Sequence, residues 1–388
     1  MTLRFPSPNT PKCFAFSTLA GALLLSLLVG CSDTSNSSGD TGTAGDDILM
    51  NQVQYLGTHN SYHVRARQDL FDVLLSFIPD LAPTLDYSHI PLQEQFDTQG
   101  IRQIELDVFD DPEGGLYANH RARRVFGDEV ASGIAELDEP GLKVLHVQEI
   151  DYETTCYTFV SCLEEVKAWS DANPRHLPIT VLVEVKDEAI PDPLSLGFVT
   201  PLPFGIDALN RIDAEIRSVF PREQLLLPDD VRGDFVTLEL AVLSRGWPPL
   251  SQARGKIMFA LDNTGSPRED YIAGHTSLEG RVLFTDSPAG TPEAAFMKRN
   301  NPLSNPGDIE SLVELGYMVR TRADADTEQA RTNDTTQRDA ALASGAHFIS
   351  TDYPVPNPEF SEYQVTLPGG GVARCNSVNP GTCNPDFL

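Results

Sequence analysis

Gln54-Tyr55-Leu56-Gly57-Thr58-His59-Asn60-Ser61-Tyr62 is a short apolar, β-prone run that stops on an imidazole and an amide. A strand ending on a potential acid/base group and a potential metal ligand is how a barrel enzyme presents chemistry at its rim. A second strand-like run carries Glu105-Leu106-Asp107. Side chains alternate along a strand, so its two carboxylates share one face.

Working outward, β-rich runs recur at 53–58, 103–109, 143–147, 179–186, 256–262, 281–285, 317–321 and 348–351. Helical patterns lie between most of them. One covers 161–169 with Pro174 just beyond its end, and another covers 335–344 and is closed by Gly345. Eight strands separated by helices predict an α/β fold, a (β/α)8 TIM-type barrel, irregular where no clear helix separates the second run from the third. A doubly wound open sheet is the alternative. It is disfavoured because no Gly-x-Gly-x-x-Gly turn follows a strand and no phosphate loop is present.

The N-terminus stands apart from this pattern. Arg4 and Lys12 precede an apolar stretch from Phe14 to Val29, and Leu28-Val29-Gly30 leads into Cys31. A basic region, an apolar region and a small residue before cysteine resemble the lipobox of a bacterial lipoprotein, which implies lipidation at Cys31. Residues 1–30 are then a signal peptide and 31–47, rich in Ser, Thr, Gly and Asp, a polar tether. The catalytic barrel is expected over 48–360, followed by a C-terminal tail over 361–388. With Cys13 and Cys31 in the export segment, four cysteines remain, and their local spacing in an exported chain predicts disulfides Cys156–Cys162 and Cys375–Cys383.

The net charge is −28, and the export segment contributes only Arg4 and Lys12 to it, so the mature chain is more acidic still. No basic stripe is available to displace counterions from phosphates, which excludes nucleic acid as a partner.

A barrel demands polar residues at the carboxyl ends of its strands. The runs meet this demand with His59-Asn60, with Glu105 and Asp107, with His146, with Glu184 and Lys186, with Asp262-Asn263, with Arg320 and Arg322, and with Asp352. Glu105, Asp107, Glu184 and the amide oxygen of Asn60 form an all-oxygen set that suits calcium or magnesium better than zinc. No nucleophile elbow or zinc-protease helix motif is present. Two histidines on separate strand ends can remove and deliver a proton across a phosphorus centre while a cation offsets the phosphoryl charge.

His59-Asn60-Ser61-Tyr62, Glu105-Leu106-Asp107, Lys143-Val144-Leu145-His146 and Leu182-Val183-Glu184 resemble the motifs of calcium-dependent phosphatidylinositol-specific phospholipases C. The bacterial branch is further matched by Cys156-Tyr157-Thr158-Phe159, Trp169-Ser170-Asp171-Ala172-Asn173-Pro174, Arg254-Gly255-Lys256-Ile257 and Ser350-Thr351-Asp352-Tyr353-Pro354. The resemblance implies cleavage of phosphatidylinositol to diacylglycerol and a cyclic inositol phosphate. It implies His59 acting on the phosphoryl group or as base, and His146 protonating the leaving alkoxide. Calcium would be held by Asn60, Glu105, Asp107 and Glu184, with Glu105 or the metal helping to deprotonate the attacking hydroxyl. Lys186, Arg320, Arg322 and Asp352 are the implied substrate contacts.

One departure concerns His120, thirteen residues after Asp107, a spacing that in some relatives belongs to the second catalytic histidine. His146 is preferred because it ends a strand-like run, whereas His120 sits beside a charged insert. His63, His89, His176, His275 and His347 show no constellation. The expected partners are a phospholipid or glycerophosphodiester and, through Cys31, the membrane of a bacterial envelope. The chain is expected to act as a monomer. A glycerophosphodiesterase working on soluble diesters and a non-catalytic lipid- or glycan-binding lipoprotein are the competing functions. The first of these lacks its usual Arg-Gly pair before the first histidine.

Overall fold

Three β-prone runs form strands over the spans expected of them in the computed structural model, which describes residues 47–388 apart from Pro306. They are β1 (Val53–Thr58), β2 (Gln103–Phe109) and β9 (Phe348–Thr351). β4 (Ile179–Val185), β5 (Ile257–Leu261), β6 (Leu283–Thr285) and β8 (Met318–Arg322) lie within two residues of expectation at each end. The proposed export segment and Cys31 lie outside the described residues.

One expected barrel strand is different. The run at 143–147 forms only β3 (Lys143–Val144), which pairs antiparallel with β2 through Val108 and Phe109 and stands off the main row. The long segment between β2 and β3 holds only two short 3-10 helices, Arg121–Phe126 and Ala135–Leu137, and no α-helix of the kind that carries a parallel crossover, and the chain comes back antiparallel. The eighth barrel strand is β7 (Phe296–Lys298), three residues long and not foreseen.

The strand order is β6-β5-β4-β2-β1-β9-β8-β7, all parallel, and a parallel bridge between Asp286 and Phe296 joins the two ends of the row. This is an irregular (β/α)8 barrel, with no helix between β6 and β7. The β1–β2 seam is held by a single register pair, Gly57 with Gln103. A Cβ on Gly57 would sit 2.1 Å from the Gln103 Oε1, so only glycine allows this approach.

Around the strands run α1 (Gln68–Phe77), α2 (Leu92–Thr98), α3 (Phe159–Ala172) and α4 (Ile206–Val219), with further helices beyond them. Thr158 caps α3 by accepting from the Ser161 amide at 3.0 Å, and the Cys156–Cys162 disulfide ties the preceding loop to its first turn. The last strand, β10 (Ala373–Cys375), pairs antiparallel with β1, and the Cys375–Cys383 disulfide follows it. Tyr363, Val365 and Leu367 are buried in the main core, so the C-terminal segment packs onto the barrel as part of it. Among the described residues no helix is long and apolar enough to cross a membrane.

Alternation along β2 sets the site. Ile104, Leu106 and Val108 face the hydrophobic core, whereas Gln103, Glu105 and Asp107 share the opposite face and are buried there.

Candidate active site

β1 ends in a sharp change of direction. Asn60 has φ +42°, a left-handed conformation that Asn tolerates better than most residues. The turn is pinned by Ser61, whose amide donates to Glu105 O at 3.0 Å and whose Oγ accepts from the Glu105 amide at 2.9 Å. His59 thus comes to lie beside β2 and β9.

The His59 Nδ1 is 2.9 Å from Asp352 Oδ1, which assigns the proton to Nδ1 and leaves Nε2 as a free base. That nitrogen stands 3.8 Å from Glu105 Oε1. Burial first, then the charge of Arg322, pushes the His59 pKa well below its ordinary 6.5, although Asp352 acts the other way. The imidazole is therefore neutral at neutral pH. Arg322 donates to Asp352 Oδ2 at 3.2 Å, and the Asp352 amide donates to Asp324 Oδ1 at 2.8 Å.

His146 lies after β3, in a chain that folds straight back on itself. Val147 and Asp151 exchange both backbone hydrogen bonds at 3.0 Å, across a turn in which Glu149 has φ +74°. Asp151 consequently returns to His146, whose Nδ1 is 2.6 Å from Asp151 Oδ2. The same oxygen lies 2.8 Å from the Nε2 of fully buried His63. The two histidines overcome the effect of burial and hold the Asp151 carboxyl well below the usual range. His63 therefore has a constellation after all. Its distance of four residues from His59 was the available signal, but the partner lies 88 residues away.

His120 is placed elsewhere. It stacks face to face on Tyr152, with centroids 3.5 Å apart and planes 3° from parallel, and burial pushes its pKa to about 3. His89 supports the site from behind, its Nε2 2.9 Å from His59 O.

The β2–β4 register sets Asp107 directly opposite Glu184, and one carboxylate oxygen from each of Glu105, Asp107 and Glu184 lies within 4.8 Å of the others. Burial, opposed by Arg320, raises Glu105 to about 8; burial, opposed by Lys186, raises Asp107 to about 7. The mutual repulsion of the carboxylates adds to both shifts. Asn60 Oδ1 and both Asp107 oxygens are buried without a hydrogen-bond partner, although Lys186 Nζ stands 3.2 Å from one of the latter. Orphaned buried oxygens beside a crowded carboxylate set fit a hard divalent cation.

The cationic side chains divide. Lys186 bridges Asp107 and Glu184, at 3.2 and 3.3 Å. Arg320 has a side chain only 1% exposed and is spent inside the barrel, donating to Glu105 Oε2 at 2.5 Å, Ser350 Oγ at 2.8 Å and Asn300 Oδ1 at 2.6 Å. Each nitrogen of its guanidinium is engaged inside the barrel, which places Arg320 on Glu105 and not in the lining of the groove that holds the two histidines. Arg322, Asp352, His59 and His146 all line one groove of about 590 Å3.

The family description phosphoinositide phospholipase C, Ca2+-dependent, matches residues 48–377. The chain belongs to that family. This phospholipase is accordingly an enzyme that cleaves phosphatidylinositol, with calcium as its cofactor. Solved structures similar to it include a calcium-dependent phosphoinositol-specific phospholipase C from a Pseudomonas species. That match has 16% identity and a TM-score of 0.48, over 86% of this chain and 96% of that one. A Ca2+-dependent enzyme of the same specificity from Streptomyces antibioticus is 18% identical with TM-score 0.48, over 79% and 95%. The phosphatidylinositol-specific phospholipase C of Listeria monocytogenes is 15% identical with TM-score 0.41, over 79% and 90%. Comparison with curated proteins found no match.

Proposed function

We propose that this phospholipase acts by attack of the inositol 2-hydroxyl on phosphorus, releasing diacylglycerol and a cyclic inositol phosphate, with His59 as general base and His146 as general acid. The supporting observation is that both imidazoles rest one nitrogen on a buried carboxylate and open on the same groove, beside the oxygen cluster. His59 Nε2 takes the hydroxyl proton as the new P–O bond forms. His146 gives its proton to the glyceride oxygen as the old bond breaks, so no water is consumed. Asp352 and Asp151 each hold one Nδ1 and so orient the two rings.

Asn60, Glu105, Asp107 and Glu184 would hold calcium, which supplies neutralisation of phosphoryl charge and a lowered pKa for an oxygen it touches. Glu105 also faces His59 and is fixed by Arg320, so it steadies both the base and the metal ligands. Arg322 and Lys186 are the remaining cations for the phosphate, and Arg320 acts through Glu105.

The chain works as a monomer, exported and lipidated at Cys31, so that the barrel of 48–360 and the segment 361–388 hang from the bacterial envelope on the tether 31–47. The basic, apolar and cysteine order of the N-terminus and the two disulfides support this. Phosphorus NMR of the protein with phosphatidylinositol is expected to show a cyclic phosphate that disappears on chelation. A linear inositol phosphate as the first product would rule the mechanism out. Mass spectrometry of the N-terminal peptide tests Cys31, which should carry acyl chains.

A further inference from the structure

The groove that holds the two histidines is mostly not polar. Its polar members, His59, Arg322, Asp352 and His146, come from the strand ends and the turn after β3, whereas α1, the segment after it and the loop around 190–198 contribute apolar side chains such as Val73, Leu74, Ile78, Ile190 and Phe198. Leu70, Leu74 and Leu85 of its wall belong to a second hydrophobic cluster, separate from the barrel core, that also includes Leu145 and Tyr152. The rim keeps large apolar residues in water: Phe77 is 54% exposed, Leu81 51% and Leu194 47%. Exposed apolar surface gathered on one concavity calls for an apolar occupant.

We propose that this groove seats the hydrocarbon of the leaving glyceride, so that the enzyme takes part of the lipid tail out of its aggregate during cleavage. The inference rests on the reading that His146 protonates the glyceride oxygen. That oxygen carries the tail, and the chain beyond His146 continues into the groove wall through Val147 and Ile150. The tail and the wall therefore start from the same point. Electrostatics agree: a chain of net charge −28 gains nothing from an anionic lipid surface, but an uncharged hydrocarbon chain meets no such opposition.

The test is a series of monoacyl phosphatidylinositols of increasing chain length, each presented as monomers to the calcium-loaded protein, with a tailless methyl ester of inositol phosphate as reference. Burial in the groove should raise kcat/KM by up to about fourfold per methylene until the groove is full. Val73→Trp, which narrows the groove at a half-buried position, and Leu194→Trp, at an exposed rim position, should each flatten the rise for long tails relative to the reference. Thermal unfolding checks that both variants fold. If kcat/KM on monomers is independent of tail length, the proposal is overturned, and the rim then serves a bilayer surface or a second copy of the chain. If the reference and the lipids all resist cleavage, the reading of the site falls as well, so the two failures are distinguishable.

Discussion

Replacing His146 with alanine tests which histidine protonates the leaving group. The imidazole is held at 2.6 Å by a carboxylate that is itself fully buried and shared with His63, so the acid is oriented before substrate arrives. A positioned general acid contributes about 10²–10⁴-fold, or roughly 3–5 kcal/mol of barrier at 1.36 kcal/mol per tenfold. The glyceride alkoxide is a poor leaving group and should incur that whole loss. A nitrophenyl ester of inositol phosphate, whose leaving group needs no proton, should lose no more than about tenfold. Initial rates on the two substrates, for His146→Ala and His120→Ala side by side, make the comparison. His120 lies stacked on Tyr152 outside the groove, so its variant should keep kcat on both substrates and lose only stability. Equal losses on both esters for His146→Ala, or a leaving-group-dependent loss for His120→Ala, would refute the assignment.

Arg322→Gln removes a positive charge that depresses His59, so the His59 pKa should rise and the acid limb of the kcat/KM profile should move to higher pH; an unmoved limb argues against His59 as the base. Asp107→Asn should weaken calcium binding by at least about 100-fold in titration calorimetry, since it removes charge from an inner member of the oxygen set. In chelated protein, Glu105 and Asp107 are raised to about 8 and about 7 from ordinary values of 4.5 and 3.8, so between these limits the folded state binds the extra protons. Stability should therefore fall as pH rises through that window, and added calcium should stabilise more near its upper end than its lower one, as thermal melts would show. Replacing Cys156 and Cys162 with serine opens a loop of sequence separation 6, which should cost about 2 kcal/mol in urea unfolding.

Much of this molecule is written locally. Continuous β-prone runs that stop abruptly on polar groups fix β1, β2 and β9 to the residue, because strand length and burial are properties of the run itself. Alternation alone puts Glu105 and Asp107 on one face, and cysteine spacing alone pairs both disulfides. β7 was not legible, because three residues are too few to display a period. The run at 143–147 looks like a barrel strand, yet a strand pattern does not state which neighbour it takes or in which direction it runs.

The sequence by itself therefore determined the barrel class and both disulfides, and it singled out His59, His146 and the oxygen set as candidates, since each depends on residue type and short-range spacing. Tertiary structure alone decided which charges neutralise one another. Arg320 reaches Glu105 across 215 residues, Asp352 reaches His59 across 293, and Asp151 serves both His63 and His146. These pairings depend on which strand ends meet and which side chains water can no longer solvate. Both are set by the packing of distant segments, and the local pattern carries no record of them.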